Sequence, residues 1–211
     1  MDKNYDIIKI ITHADGGEEY SKNVSEYPSN EDSVAVRGYG VDANDPENAQ
    51  KQFDTMAKYH GNEGKNQYIQ FMMSFLKDTA PDAETAMSIA DKVVEPLKDE
   101  HQIYIGIHKK QRGDSDYHAH DFVGTTNMKT GRLLHPNNKL NFSMAQNCAD
   151  VIGKPVRLVI EKKNKKKDLE TNDTPTEQNN AQSENSNGQS GGKKKNDDFT
   201  RIFYPHNTSN D

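Results

Sequence analysis

Hydrophobic positions fall in short blocks separated by Gly, Pro and charged residues. Residues 7–12 are a β-branched run that predicts a strand, broken by Gly16 and Gly17. Tyr20, Val24 and Tyr27 then recur at i, i+4 and i+7, which predicts a helix over 18–26. Pro28 disfavours helical geometry at Tyr27 and ends that helix. A second strand is predicted over 33–39. Asp45-Pro46-Glu47 reads as the start of a helix running through Phe53, Met56, Ala57 and Tyr59 to Gly61.

The aromatic-rich run 67–76 predicts a third strand, central in its sheet. Ala86, Ile89, Ala90, Val93, Val94 and Leu97 make one apolar stripe on a helix opening near Pro81, with Pro96 to kink or end it. Residues 102–108 alternate around Ile103, Ile105 and Ile107, predicting a strand with one buried face. An antiparallel partner follows over 118–126, then a helix over 142–152 and a strand over 156–160. Strands interspersed with helices around a central hairpin make the fold class α+β.

Composition divides the chain. Of its 211 residues 31% are hydrophobic, and the mean hydropathy is -1.06, low for a uniformly packed domain. Residues 164–211 hold only 6 apolar residues in 48, whereas 1–163 hold 60 in 163. The expectation is a domain over 1–163 followed by a low-complexity tail, 164–211, disordered by composition. The tail's one apolar island, Phe199 to Tyr204, reads either as a short motif that docks a partner or as inconsequential sequence at a flexible end.

Several function classes are excluded or disfavoured. No run approaches the ~18 apolar residues that suggest a membrane span, so no membrane insertion is expected. Residues 1–5 are polar and lack the apolar stretch of a signal peptide, and the single cysteine, Cys148, cannot form a disulfide framework; a cytoplasmic protein is expected. The net charge of -6 argues against a generic nucleic-acid coat, so DNA binding would rest on local patches.

Five histidines stand alone: His13, His60, His101, His135 and His206. The other three cluster, with His108 closing one predicted strand and His118-Ala119-His120 opening the next. Alternation puts His118 and His120 on one face. Whether His108 joins them depends on a register that nine intervening residues leave open. Three imidazoles on one face suit a first-row transition ion, and Asp114, Asp116 and Asp121 could orient or supplement them.

The block 103–131, with His135 beyond, resembles the signature of plasmid mobilisation relaxases, members of the HUH endonuclease superfamily. There a strand ends in His, an Asp-containing loop follows, then an H-x-H strand, an Asn and a T-G turn. Upstream, Arg37-Gly38-Tyr39-Gly40 with the helix over 44–60, and Phe71 to Phe75 leading into 81–85, are similar to the family's strand–helix units. The resemblance covers about residues 6–161 and points to the mobilisation P-type.

The resemblance implies an HUH-type fold, a mostly antiparallel five-stranded sheet flanked by helices. It implies transesterification of one DNA strand at a plasmid transfer origin through a 5′-phosphotyrosyl intermediate. His108, His118 and His120 would hold a divalent ion, Mg or Mn. Tyr27 best matches the nucleophile, with Tyr20 or His13 as substitutes and Asp116 in the catalytic set. Ser74, Lys109, Lys110, Arg112 and Asn127 would contact DNA, although Asn127 could equally begin the turn to Gly131. Lys162, Lys163 and Lys165 to Lys167 add possible backbone contacts. Implied partners are single-stranded DNA and relaxosome accessory and coupling proteins.

Three departures from the family pattern stand out. Pro28 follows the tyrosine, the loop before His118 is about three residues long by excess, and Gly124 replaces an asparagine. They leave open a non-catalytic relaxosome accessory protein. A rolling-circle replication initiator is disfavoured, because no suitable helical tyrosine follows His120.

Overall fold

The computed structural model describes residues 5–12, 27–29, 32–109, 117–160 and 199–206. The helix expected over 18–26 and the linker 161–198 lie outside the described residues.

Six of the strands form where the sequence predicted them, and a seventh was not expected. In chain order the elements are β1 (Asp6–Thr12), a 3-10 turn (Tyr27–Ser29), β2 (Ser33–Tyr39), α1 (Pro46–Tyr59) and β3 (Tyr68–Ser74). Then come α2 (Ala83–Val94) with a 3-10 extension (Glu95–Leu97), β4 (Ile103–Lys109), β5 (Tyr117–Gly124), α3 (Asn138–Ile152), β6 (Val156–Ile160) and β7 (Phe199–Phe203). Each helix begins at a side-chain cap: Asp45 accepts from Asn48 N at 3.0 Å, Asp82 from Thr85 N at 2.7 Å, and Asn137 from Leu140 N at 2.9 Å. Such caps each contribute about 1 kcal/mol. The third one starts α3 four residues earlier than its apolar pattern suggested.

The sheet order is β2-β4-β5-β3-β1-β6-β7. Every pairing is antiparallel except β1 with β6. β3 lies at the centre, as expected. The sheet has seven strands, not five, and the difference is instructive at its end. The C-terminal apolar island is β7, which pairs along β6 with Phe199 opposite Ile160 and Phe203 opposite Val156. Phe142 of α3 packs against the rings of Phe199 and Phe203 at 6.0 and 5.7 Å. The island therefore belongs to the sheet and is neither a free docking motif nor idle sequence.

The two faces of the sheet differ. α2 and α3 cover one face and enclose the main core, which includes Ile8, Ile10, Phe71, Met73, Ile105, Ile107, Ala119 and Val123. α1 covers part of the other face through a smaller cluster of Ala49 and Phe53 with Tyr68, Tyr104 and Phe122. β4 is consequently buried on both sides from Ile103 to His108, not on one. Its polar and small residues on the second face, Tyr104, Gly106 and His108, break the apolar run and gave it a half-exposed appearance in sequence.

Candidate metal centre

The β4–β5 register settles where His108 points. His108 lies directly opposite His118, and Gly106 opposite His120. Residues directly opposite in a pair project to the same face, so all three imidazoles share the face that α1 only partly covers. Their ring centroids are 5.3 Å (His108–His118), 4.8 Å (His108–His120) and 4.9 Å (His118–His120) apart. One ligand-capable nitrogen from each ring lies within 4.8 Å of the others.

The surroundings favour neutral imidazole. His108 and His120 are 1% and 2% exposed. Burial pushes the His120 pKa down to about 3, with further lowering from His118 and His108. The neutral ring is the form that ligates a metal. Three nitrogen donors leave coordination positions for oxygen ligands, so the donor set fits a divalent first-row ion.

Two neighbours act on the rings from behind. The Gln70 side-chain amide lies 2.9 Å from His120 Nδ1. The atom that faces the ring is the amide nitrogen, which donates to His120 Nδ1. The backbone carbonyl of Pro28 lies 3.2 Å from His108 Nε2. Neither residue was singled out for this role by sequence. Gln70 carried a signal all the same, as the lone amide amid aromatic and aliphatic residues in 68–73.

Ser74 lies opposite His118 on β3, so the row Ser33–His108–His118–Ser74 crosses four strands at one level. Lys109 is exposed at the rim, its ammonium 5.7 Å from the Tyr117 ring. Tyr27 belongs to the 3-10 turn beside β4. Tyr20, His13, Asp114, Asp116, Lys110, Arg112, Lys162, Lys163 and Lys165 to Lys167 lie outside the described residues.

Two expectations do not reach the site. Asp121 neighbours His120 in sequence but projects to the opposite face, where it is fully buried, so it cannot supplement the ligands. Burial holds its carboxyl well above the usual range, reinforced by Asp91. Asn127 lies beyond Gly124, at the far end of β5 from His118. Its Oδ1 accepts from Lys129 N and Thr130 N, both at 2.9 Å, and its Nδ2 donates to Glu100 at 2.7 Å. Those bonds build the turn to Gly131, the second of the two roles expected for it.

The isolated histidines are occupied locally. His101 Nδ1 bonds the Gly124 carbonyl at 2.8 Å, His60 Nε2 the Met128 carbonyl at 3.2 Å, and His206 pairs with Asp150 at 2.9 Å. His135 is exposed.

Fold and site together define an α+β domain with a histidine-lined candidate metal centre on two paired strands. The family model for relaxase, MobA/VirD2-like, nuclease domain, matches residues 20–154. The chain belongs to this family of mobilisation nucleases, and the family assignment read from 103–131 holds. Family membership brings DNA nicking in mobilisation and DNA binding; relaxases use a divalent metal, and His108, His118 and His120 are a group that could hold one. No curated protein and no solved structure matches the chain. No helix among the described residues is long and apolar enough to cross a membrane.

Proposed function

We propose that the protein is a mobilisation P-type relaxase that nicks one strand at a plasmid transfer origin, with Tyr27 as nucleophile. The observation that carries this reading is the convergence of His108, His118 and His120 beside the turn bearing Tyr27. The Tyr27 hydroxyl attacks the scissile phosphorus in line. The new bond joins phosphorus to the tyrosyl oxygen, the bond to the 3′-oxygen breaks, and that oxygen takes up a proton. One phosphodiester replaces another, so the step is close to isoenergetic and religation is its reverse.

His108, His118 and His120 would hold the divalent ion, and imidazole donors favour Mn over Mg. When bound, the ion supplies positive charge against a non-bridging phosphate oxygen. Ser74, level with His118, and Lys109 at the rim are placed to meet the phosphate backbone. Lys110, Arg112 and Asp116, in the sequence between the two ligand strands, complete the proposed DNA-binding and catalytic set. Single-stranded DNA is the substrate. Relaxosome accessory and coupling proteins are the proposed partners, in the cytoplasm.

Pro28 and Gly124 do not read as decay of a lost site. A Cβ on Gly124 would come within 3.1 Å of the Phe53 ring, so α1 packs where the family's asparagine would stand. Pro28 is likewise a packing residue of the site. These contacts favour the enzyme over an inert accessory protein.

The test is a labelled single-stranded oligonucleotide spanning the cognate transfer origin, incubated with Mn and resolved on a denaturing gel. The wild type forms a covalent protein–DNA adduct, and Tyr27→Phe forms at least ~100-fold less while binding Mn normally. An adduct that survives Tyr27→Phe moves the nucleophile to another residue, and no adduct from the wild type ends the enzyme reading.

A further inference from the structure

Pro28 is buried and sits on β4 at Gly106. A Cβ added to Gly106 would meet Pro28 Cα at 2.6 Å and Pro28 Cβ at 2.7 Å, and would collide with the Pro28 carbonyl oxygen. Real Cβ atoms do not approach backbone that closely, so only glycine at this strand position admits the turn. Gly106 is also the residue directly opposite His120. The missing side chain therefore opens a slot inside the histidine cluster, and the Tyr27–Ser29 turn fills it.

Two further bonds fix the turn in that slot. The Ser29 side chain hydrogen-bonds Tyr104 two residues along β4, whose own hydroxyl donates to the Ala43 carbonyl at 3.1 Å. Lys109 N donates to the Asp32 carbonyl at 3.1 Å, tying the chain just after the turn to the end of β4. The third contact is chemical. The Pro28 carbonyl can only accept, so its 3.2 Å contact with His108 Nε2 requires the proton on Nε2. In a neutral imidazole that leaves the lone pair on Nδ1.

We infer that the Pro28 turn, seated in the Gly106 slot, is a positioning device that sets His108 to ligate metal through Nδ1. The inference rests on the histidine cluster being a metal centre, as proposed above. It assigns Pro28 and Gly106 as positioning residues, since neither touches a reacting atom. It also gives this chain's proline a role, because its carbonyl turns toward His108.

The test reads the His108 tautomer in metal-free protein by long-range proton–nitrogen correlation spectra of the imidazoles, near neutral pH. The wild type shows the proton on His108 Nε2, and a proton on Nδ1 overturns the inference. Gly106→Ala, confirmed folded by its circular dichroism, displaces the turn. The variant loses the single His108 tautomer while the His118 signals hold, and its affinity for Mn, measured by calorimetry, falls roughly ten- to hundred-fold, the usual effect of losing a partner behind a ligand. A folded Gly106→Ala with the wild-type tautomer and wild-type Mn affinity also overturns it. If Gly106→Ala does not fold, the wild-type tautomer alone decides. The adduct assay is independent: a wild type that shows the Nε2 proton and binds Mn but forms no adduct supports this inference and refutes the nicking reading.

Discussion

β5 carries two different molecules on its two faces. Ala119, Asp121 and Val123 project into the main core under α2 and α3. His118, His120 and Phe122 project the other way, where α1 supplies cover only at the Phe122 end. On the first face, deep apolar cover makes side chains matter for stability. On the second, the cover at the histidine end among the described residues comes from a three-residue turn. The difference teaches where chemistry can be placed in this fold: polar groups gather where the sheet is closed by backbone carbonyls and a side-chain amide, and apolar groups where it is closed by helices.

The sharpest way to separate the faces is to cut one at a time. The double variant His118→Ala, His120→Ala removes two of three ligands. It should lose Mn binding and adduct formation by at least ~100-fold, with thermal stability in metal-free protein unchanged or higher, because two desolvated rings are gone. Calorimetry with Mn and a melting curve read the two quantities separately. A variant that still binds Mn like the wild type would remove the histidines from the metal centre.

Ile105→Ala is the opposite cut. Ile105 is fully buried opposite Asp121 on the helix face, and its truncation should cost about 2–5 kcal/mol of unfolding free energy. Mn affinity of the folded fraction should stay within a few-fold, since the neighbouring Tyr104 and Gly106 face the other way. Urea unfolding measures the first and calorimetry the second. A large loss of Mn affinity at unchanged stability would mean that the faces are not independent.

What sequence revealed follows the same division. The strands and helices were legible because their apolar periods were complete within each segment, and the caps Asp45 and Asp82 stood at the expected starts. The H-x-H pair was legible from alternation alone, but His108 was not, because its place depends on a hairpin register that the loop does not fix. Gln70, Pro28 and Gly106 were harder for a different reason. They act on the histidines from β3, a turn and β4, so their roles exist only after the sheet is assembled. A glycine inside an alternating strand does mark a close backbone approach, and Gly106 offered that signal. β7 was missed because 38 mostly polar residues, 161–198, separate it from β6, and pairing across so long a segment leaves no local pattern.

Asp121 is the exception on the helix face, and it offers the finest test of the comparison. Neither carboxylate oxygen has a hydrogen-bond partner among the described residues, and burial raises its pKa well above the ordinary 3.8. A carboxyl whose folded pKa is raised stabilises the fold fully below its unfolded pKa. That contribution declines as pH rises toward the folded pKa, because the unfolded chain releases its proton first. Asp121→Val replaces it with an apolar, β-branched group of similar size. The variant should match the wild type below about pH 4 more closely than at neutral pH, where it should be more stable by roughly 1–3 kcal/mol. Urea unfolding from pH 4 to 8 gives the difference directly. A gap that stays constant across that range would mean Asp121 is already ionised in the folded protein, held by a charge that the helix face does not otherwise display, and the dry character of that face would fall with it.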